Sequence, residues 1–261
     1  MAGQGSRSIA STAGEGGAFS RFWPPVVVFA FFIAAWELVV WWFGIPNFVL
    51  PAPHAIIRVV LDDPVTLMHD TATTVAEALA GYAAGAIAGL LLAIAFVIVP
   101  AIERVLLPIY VTINSVPMVA YGPLAIIWFG IGSASKIFLI FIAVSYTILI
   151  NALVGLTRCD PGAVALLRSF GASDQKILRV LRIPAAIPSI FTGLRVAVVH
   201  AMILAVVVEM LGANAGLGWN IFKSTQMMSF VEAWAAVGAS VLVSLVIYRV
   251  VSFVADRAVW W

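Results

Sequence analysis

Long apolar stretches recur along this chain, separated by short polar ones, and most of them are close to the same length. Phe22 to Phe43, Gly81 to Pro100 and Ile137 to Thr157 each run for about twenty residues, and Val105 to Ser135 runs for thirty-one. Pro188 to Leu211 is equally apolar with Arg195 and His200 inside it, and Val231 to Val254 holds Glu232 near its start and Arg249 near its end. About twenty apolar residues wound as a helix rise ~30 Å, the thickness of a bilayer's hydrocarbon core. The pattern therefore predicts an all-α, polytopic membrane protein with six transmembrane helices, the second starting near Thr73. An even count puts both termini on one side.

Two stretches depart from a uniform apolar helix. Pro108, Pro117 and Pro123 each remove a helix hydrogen bond, so the third span is expected to bend or break around Asn114–Gly122. Such backbone at membrane depth is either a kink in a packing helix or a broken segment lining a cavity. In the second span Gly81, Gly85 and Gly89 recur every four residues beside Ala80, Ala84 and Ala88, a flat stripe that another helix can approach closely. Between the first two spans, Gly44 to Asp70 holds Pro46, Pro51 and Pro53, then a short amphipathic run, Ala55 to Leu61, expected to lie along the outer surface. Residues 1–21, with five glycines and four serines, read as a disordered polar tail. The apolar run that follows is longer than the about 7–15 residues of a signal sequence. The domain plan is thus a tail (1–21), a first helix with its outer segment (22–72), a five-helix core (73–254) and a short tail (255–261).

Composition sharpens the class. Hydrophobic residues make up 63% of the chain and charged ones 10%, against about 25% charged in soluble domains, which excludes a water-soluble fold. A net charge of +2 is too small and too scattered for a nucleic-acid face. The single cysteine, Cys159, excludes an intramolecular disulfide and a cysteine metal cluster, and three histidines leave little for metal chemistry. With the N-terminus inside, ten Lys/Arg fall on the cytoplasmic side and three, Arg58, Lys136 and Lys223, in outer loops. This asymmetry predicts both termini in the cytoplasm. Asp62, Asp63 and Asp70 fall in the outer segment as well.

The cytoplasmic loop from 158 to 187 carries five of those ten basic residues. Pro161 suits a helix's first turn, Gly171 a left-handed helix end, and Ser173 the cap of a second helix from Asp174 to Leu181, which Pro184 should stop. The product is a two-helix knob. Its basic face is expected to be solvated, while its apolar side, Val164, Leu167, Phe170, Ile177, Val180 and Leu181, needs covering by either the chain's own bundle or a partner.

Within this loop the run Leu167-Arg168-Ser169-Phe170-Gly171-Ala172-Ser173, followed by Leu181-Arg182-Ile183-Pro184 and then by Gly193-Leu194-Arg195, resembles the cytoplasmic signature of bacterial ABC importer permeases. That signature reads Glu-Ala-Ala, three residues, Gly, nine residues, Ile-x-Leu-Pro. Ala165-Leu166-Leu167 stand where the family has Glu-Ala-Ala, so the acidic residue is missing. The resemblance covers roughly residues 36 to 255. It includes Trp36-Glu37, Leu50-Pro51-Ala52-Pro53, Ser115-Val116-Pro117, Gly122-Pro123-Leu124, Trp128-Phe129-Gly130-Ile131-Gly132, Asn151 with Gly155, and Glu209-Met210 with Gly216-Leu217-Gly218. Together these are similar to the branch that imports nitrate, sulfonates, taurine and thiamine precursors.

The resemblance implies a permease that pairs with a second copy, docks two ATP-binding cassette subunits, and receives cargo from an extracytoplasmic binding protein or lipoprotein near Gly212–Lys223. ATP and Mg would be bound by the partner subunit, and this chain would hold no cofactor. Consistent with that, it contains no phosphate-binding Gly-x-x-x-x-Gly-Lys-Ser/Thr segment. The implied ATPase-docking residues are Arg168, Gly171, Ala172, Ser173, Asp174, Lys176, Ile177 and Pro184. Polar groups inside spans mark candidates for the translocation path: Asn114, Tyr121, Asn151, His200 and Glu209, with Met118 as a possible gate. Asn214 and Glu37 are further polar residues of the same kind. Each is either a path residue or a packing one. His200 and Glu209 are nine residues apart and so lie on opposite helix faces. An ion-coupled secondary transporter also has six spans and a broken helix, but it needs no structured knob and is often built from inverted repeats, which are not evident here.

Overall fold

The computed structural model describes residues 18–258, and among them every regular element is helical. The tail expected at residues 1–21 lies outside the described residues except for its last few, which already belong to α1 (Ala18–Phe43). The chain divides into two units after Ala55. In the first, α1 ends in exposed Trp41, Trp42 and Phe43, as expected of a helix meeting a membrane–water boundary. The chain reverses through Gly44, held at φ +58°, and the Glu37 carboxylate accepts the backbone N–H of His54 and meets its ring Nδ1. A carboxylate therefore sits at the start of α2 (Pro53–Asp62), where the helix dipole favours one.

In the second unit α3 (Pro64–Ile98) begins well before the expected Thr73, so the boundary drawn at residue 72 falls inside a helix. The start signal is local: Asp63 caps the helix by accepting the Thr66 N–H at 3.1 Å, and Pro64 occupies the first turn. Asp70, assigned above to a loop, is buried on this helix. After α4 (Pro100–Ser115) the chain turns at Val116 and Pro117, makes one 3₁₀ turn (Met118–Tyr121) and continues as α5 (Gly122–Phe129), bent by 89° from its predecessor. The third span is thus broken rather than kinked. Pro117 sits at the break and Pro123 opens α5, while Pro108 is absorbed within α4.

The α6 helix (Ser133–Thr157) packs along the glycine stripe of α3. A Cβ at Gly81 would lie 2.6 Å from the Ile140 Cβ, at Gly85 2.7 Å from the Phe141 carbonyl, and at Gly89 2.4 Å from the Ser145 carbonyl. Only glycine permits this contact. Lys136 belongs to the first turn of α6 and is buried, which corrects its assignment to an outer loop.

The segment expected on the cytoplasmic side forms α7 (Pro161–Ser169), then α8 (Asp174–Ile177), a π-helical turn (Leu178–Arg182) and α9 (Ile183–Leu211). The last three make one uninterrupted helical run of 38 residues. Pro184 therefore does not stop the second helix as expected. The π turn, closed by the Ile183 N–H on the Leu178 carbonyl five residues back, loosens the spacing just where proline lacks its N–H and crowds the preceding turn. The helix α10 (Leu217–Gln226), expected above on the outer side, follows, then α11 (Phe230–Ala258), which takes in residues 255–258 of the expected tail; 259–261 lie outside the described residues. Among the described residues five helices are long and apolar enough to cross a membrane, or six if the bent pair counts as one span.

Two outcomes follow. Gly89→Leu, which drives a side chain into the Ser145 backbone, is expected to cost at least about 3 kcal/mol. Gly132→Ala, with open space around its Cβ position, is expected to be neutral. Unfolding of the purified variants in mixed detergent micelles measures both. The Thr66 N–H holds the Asp63 carboxylate below the ordinary aspartate range. The stabilisation is therefore present above that range and lost as pH falls through the depressed value. The stability deficit of Asp63→Ala, read by thermal unfolding across pH, should be largest at neutral pH and shrink in acid.

Candidate functional site

The break in the third span opens a cleft of about 340 Å³. Asn114, from the last turn of α4, and Met118, from the 3₁₀ turn, form one wall, Tyr146 and Thr147 of α6 the floor, and His200, Ile203 and Val207 of α9 the other wall. Three candidates that are far apart in sequence, Asn114, Met118 and His200, thus meet. Asn114 turns its amide N–H to the Tyr110 carbonyl at 3.0 Å, and Thr147 its hydroxyl to Ala143 at 3.0 Å. Each donor is satisfied within its own helix, which leaves an acceptor oxygen in each group. His200 is exposed, and among the described residues it is the one lining side chain that can carry a positive charge, with no Asp, Glu, Lys or Arg beside it in the cleft. Tyr146 and Thr147 escaped the sequence reading. Their signal is the helical spacing of 143, 146 and 147, on a face that also carries Asn151 one turn on.

The remaining candidates lie elsewhere. The Tyr121 hydroxyl donates to the Ile113 carbonyl at 3.2 Å, a strap across the break. Asn151 donates to Thr147 at 2.8 Å and fills the space above Gly193, where a Cβ would be 2.7 Å from its own. That contact seats α6 against α9. Glu209, on the face of α9 opposite His200, is fully buried and outside the cleft.

Glu209 belongs to a polar cluster near the N-terminal ends of α3 and α6 and the C-terminal end of α9. Its Oε2 accepts the Thr74 hydroxyl at 3.0 Å and the Gly218 N–H at 2.7 Å. The Thr74 Oγ1 in turn accepts the Leu217 N–H at 2.8 Å. Asp70 accepts the Gly216 N–H at 3.1 Å and the Asn220 amide at 2.9 Å. The first N–H groups of α10, which have no partner in their own helix, are thereby met by side chains of α3 and α9. Gly216, at φ +109°, lets the chain cross the Glu209 carboxyl, which a Cβ would meet at 2.4 Å. Beside them Glu77 lies 3.8 Å from the Lys136 Nζ, which also donates to the Ile131 and Gly132 carbonyls at 2.7 and 3.2 Å.

The knob folds largely as its residues direct. Asp160 caps α7 by accepting the Gly162 N–H at 2.9 Å. Gly171, at φ +76°, closes the helix with its N–H on the Arg168 carbonyl and that of Ala172 on Leu167, the paired bonds of a glycine-terminated helix. Ser173 caps α8, and Arg168 bridges to Asp174 at 3.0 Å across the turn. Ile177 is buried, so it anchors the knob rather than presenting a surface. Lys176 is exposed, and Pro184 lies beyond the π turn. Phe170, Val180 and Leu166 are 79%, 61% and 57% exposed.

Residues 81–260 match the model of the family described as binding-protein-dependent transport system inner membrane component. A probable ABC transporter permease protein of Haemophilus influenzae is 30% identical over 92% of this chain and 98% of its own length. The nitrate import permease of Leptolyngbya laminosa is 32% identical over 74% of this chain and 69% of its own. The taurine transport system permease of Escherichia coli is 29% identical, with 74% of each chain covered. Among solved structures, the inward-facing MetNI methionine ABC transporter has the same fold: TM-score 0.55 at 17% identity, over 74% of this chain and 92% of the matched one. With its apolar helices, broken third span and capped two-helix knob, this chain belongs to the binding-protein-dependent inner membrane components, the multi-pass permease subunits of ABC importers.

Proposed function

We propose that the chain forms one half of a translocation path for a small solute such as a sulfonate or nitrate, and that a separate ATPase drives it through the knob. The observation that carries this reading is the knob's surface. Leu166, Phe170 and Val180 stand exposed around a left-handed glycine, in a loop whose charges keep it out of lipid. Apolar side chains in that position call for a protein partner, since water leaves them uncovered and a bilayer does not reach them. Arg168, Gly171, Ala172, Ser173, Asp174, Lys176, Ile177 and Pro184 shape that docking element. ATP and Mg belong to two cassette subunits, and this chain is non-catalytic. Both termini face the cytoplasm, as the basic residues favour.

The cleft of Asn114, Met118 and His200 is the path-lining surface of this half. It is open on one side, and a second copy of the chain closes it. With no acidic residue facing it, a small anion meets no repulsion there, and His200 and the Tyr146 hydroxyl are available as donors. Selectivity is set upstream by an extracytoplasmic binding protein.

Gly171→Pro cannot keep φ +76° and is expected to abolish co-purification of the ATPase while the chain still inserts in the membrane. Reconstituted vesicles are the decisive assay. Uptake should require ATP and the cassette subunits. If the purified chain alone carries solute down an ion gradient, the secondary-transporter reading replaces this one. Within the cleft, Met118→Trp is expected to slow uptake at least about tenfold, ~1.4 kcal/mol, with ATPase co-purification unchanged. Uptake at the wild-type rate would remove Met118 from the path.

A further inference from the structure

The outer helix α10 is tied to the protein by an arrangement that the cleft and knob leave unused. Its N-terminal N–H groups end on Asp70 and Thr74 of α3 and on Glu209 of α9. Glu209 lies two residues before the end of a helical run that begins at Asp174, inside the knob. Thirty-eight residues at about 1.5 Å each give a run of ~57 Å, longer than a bilayer core. The knob and Glu209 are therefore opposite ends of one rod.

We propose that Glu209 is a positioning residue that fixes α10 to this rod, so that displacement of the knob is delivered to the outer face. The attachment is made by hydrogen bonds of fixed geometry. The Gly218 N–H and the Thr74 hydroxyl converge on one oxygen, Oε2, and a Cβ at Gly218 would lie 2.0 Å from the Val206 carbonyl, which seats the start of α10 directly on the last turns of α9. Every acceptor in the tie is a buried side chain, so water does not compete for the bonds. At its far side α10 lines an outer cavity of about 310 Å³ through Asn220, Lys223 and Ser224, facing Asp63, Thr66 and Glu232. Motion of α10 changes the shape of that cavity.

The cluster also specifies which substitution preserves the tie. Glu209 Oε1 and Glu77 Oε2 are both buried with no hydrogen-bond partner among the described residues. A glutamine at 209 keeps an oxygen for Thr74 and Gly218 and places an N–H donor where Oε1 now lacks a partner. An alanine removes the attachment.

The inference rests on the knob as the ATPase-docking element, and its test separates the two. Cys159→Ser with Lys223→Cys, labelled with an environment-sensitive fluorophore, reports on α10 in the assembled permease–ATPase complex in nanodiscs. ATP plus vanadate is the probe. The wild-type background should give a spectral shift, Glu209→Gln should keep most of it, and Glu209→Ala should reduce it about tenfold, a size usual for coupling between sites. ATPase co-purification and basal hydrolysis should be unchanged in both. Thr74→Val, which removes the donor to Glu209 and the acceptor for Leu217, should act as the alanine does. A full shift in Glu209→Ala overturns the proposal, as does loss of the shift in Glu209→Gln. If neither Glu209→Ala nor Thr74→Val assembles, the cluster serves folding and the proposal falls. Absence of ATPase from the unmutated preparation would instead count against the docking reading.

Discussion

The close approach of α3 and α6 is the constraint on which the other features depend. Along Gly81, Gly85 and Gly89 the two helices meet with no room for a methyl group. In lipid this matters more than it would in water, because apolar burial gives little net drive between helices and packing contacts must supply it. The same contact fixes what lies at each end and on each side. Toward the outside it brings Glu77 of α3 to Lys136 of α6. On the side of α6 turned to α9 it leaves Ala143, Tyr146 and Thr147 facing a cleft rather than α3. Toward the cytoplasm Phe96 of α3 packs with Leu149, Leu153 and Leu156, a floor against which Leu178 and Ala186 of the long run are seated.

What was legible in the sequence was whatever a single length or spacing dictates. The spans follow from run length, the break from three prolines, and the knob from Pro161, Gly171 and Ser173. What was missed required knowing a neighbour. Lys136 and Asp70 looked like loop residues because charge predicts exposure, yet each is buried where another helix supplies its partners. A signal for Asp70 existed: 70, 74, 77, 81, 85 and 89 lie at steps of three or four, so its cluster continues the glycine stripe on one face of α3. Charge, read as the end of a span, hid that continuity. Pro184 was misread for the opposite reason. A local rule, that proline stops a helix, gave way to a π turn supported by burial of Ile177 and Leu178 on either side of its start.

The polar residues of the membrane region sort into two kinds by how they are satisfied. Asp70, Thr74 and Lys136 are buried and bonded to backbone groups or side chains of neighbouring elements, so they act as joints. Asn114, Thr147 and His200 face the open cleft, with the first two donating only within their own helices. A joint loses the protein stability when disturbed, because a stranded buried polar group has no water to turn to. A cleft residue, with open space before it, can be changed with little cost to folding. This distinction, rather than polarity itself, separates Glu209 from His200, though both are ionisable and share one helix.

The long run from Asp174 to Leu211 needs support at more than its ends, because a helix of ~57 Å extends well beyond a core of about 30 Å. Arg195 provides it. Its guanidinium meets Asp256 of α11 at 2.6 Å, seven residues and so about two turns past Arg249. The pair ties the middle of the run to the last turn of α11. Earlier in the run, Gly155 of α6 lets Ala186 and Ser189 come into contact. Held by α6 on one side and by α11 on another, the run is supported along its length as well as at its ends.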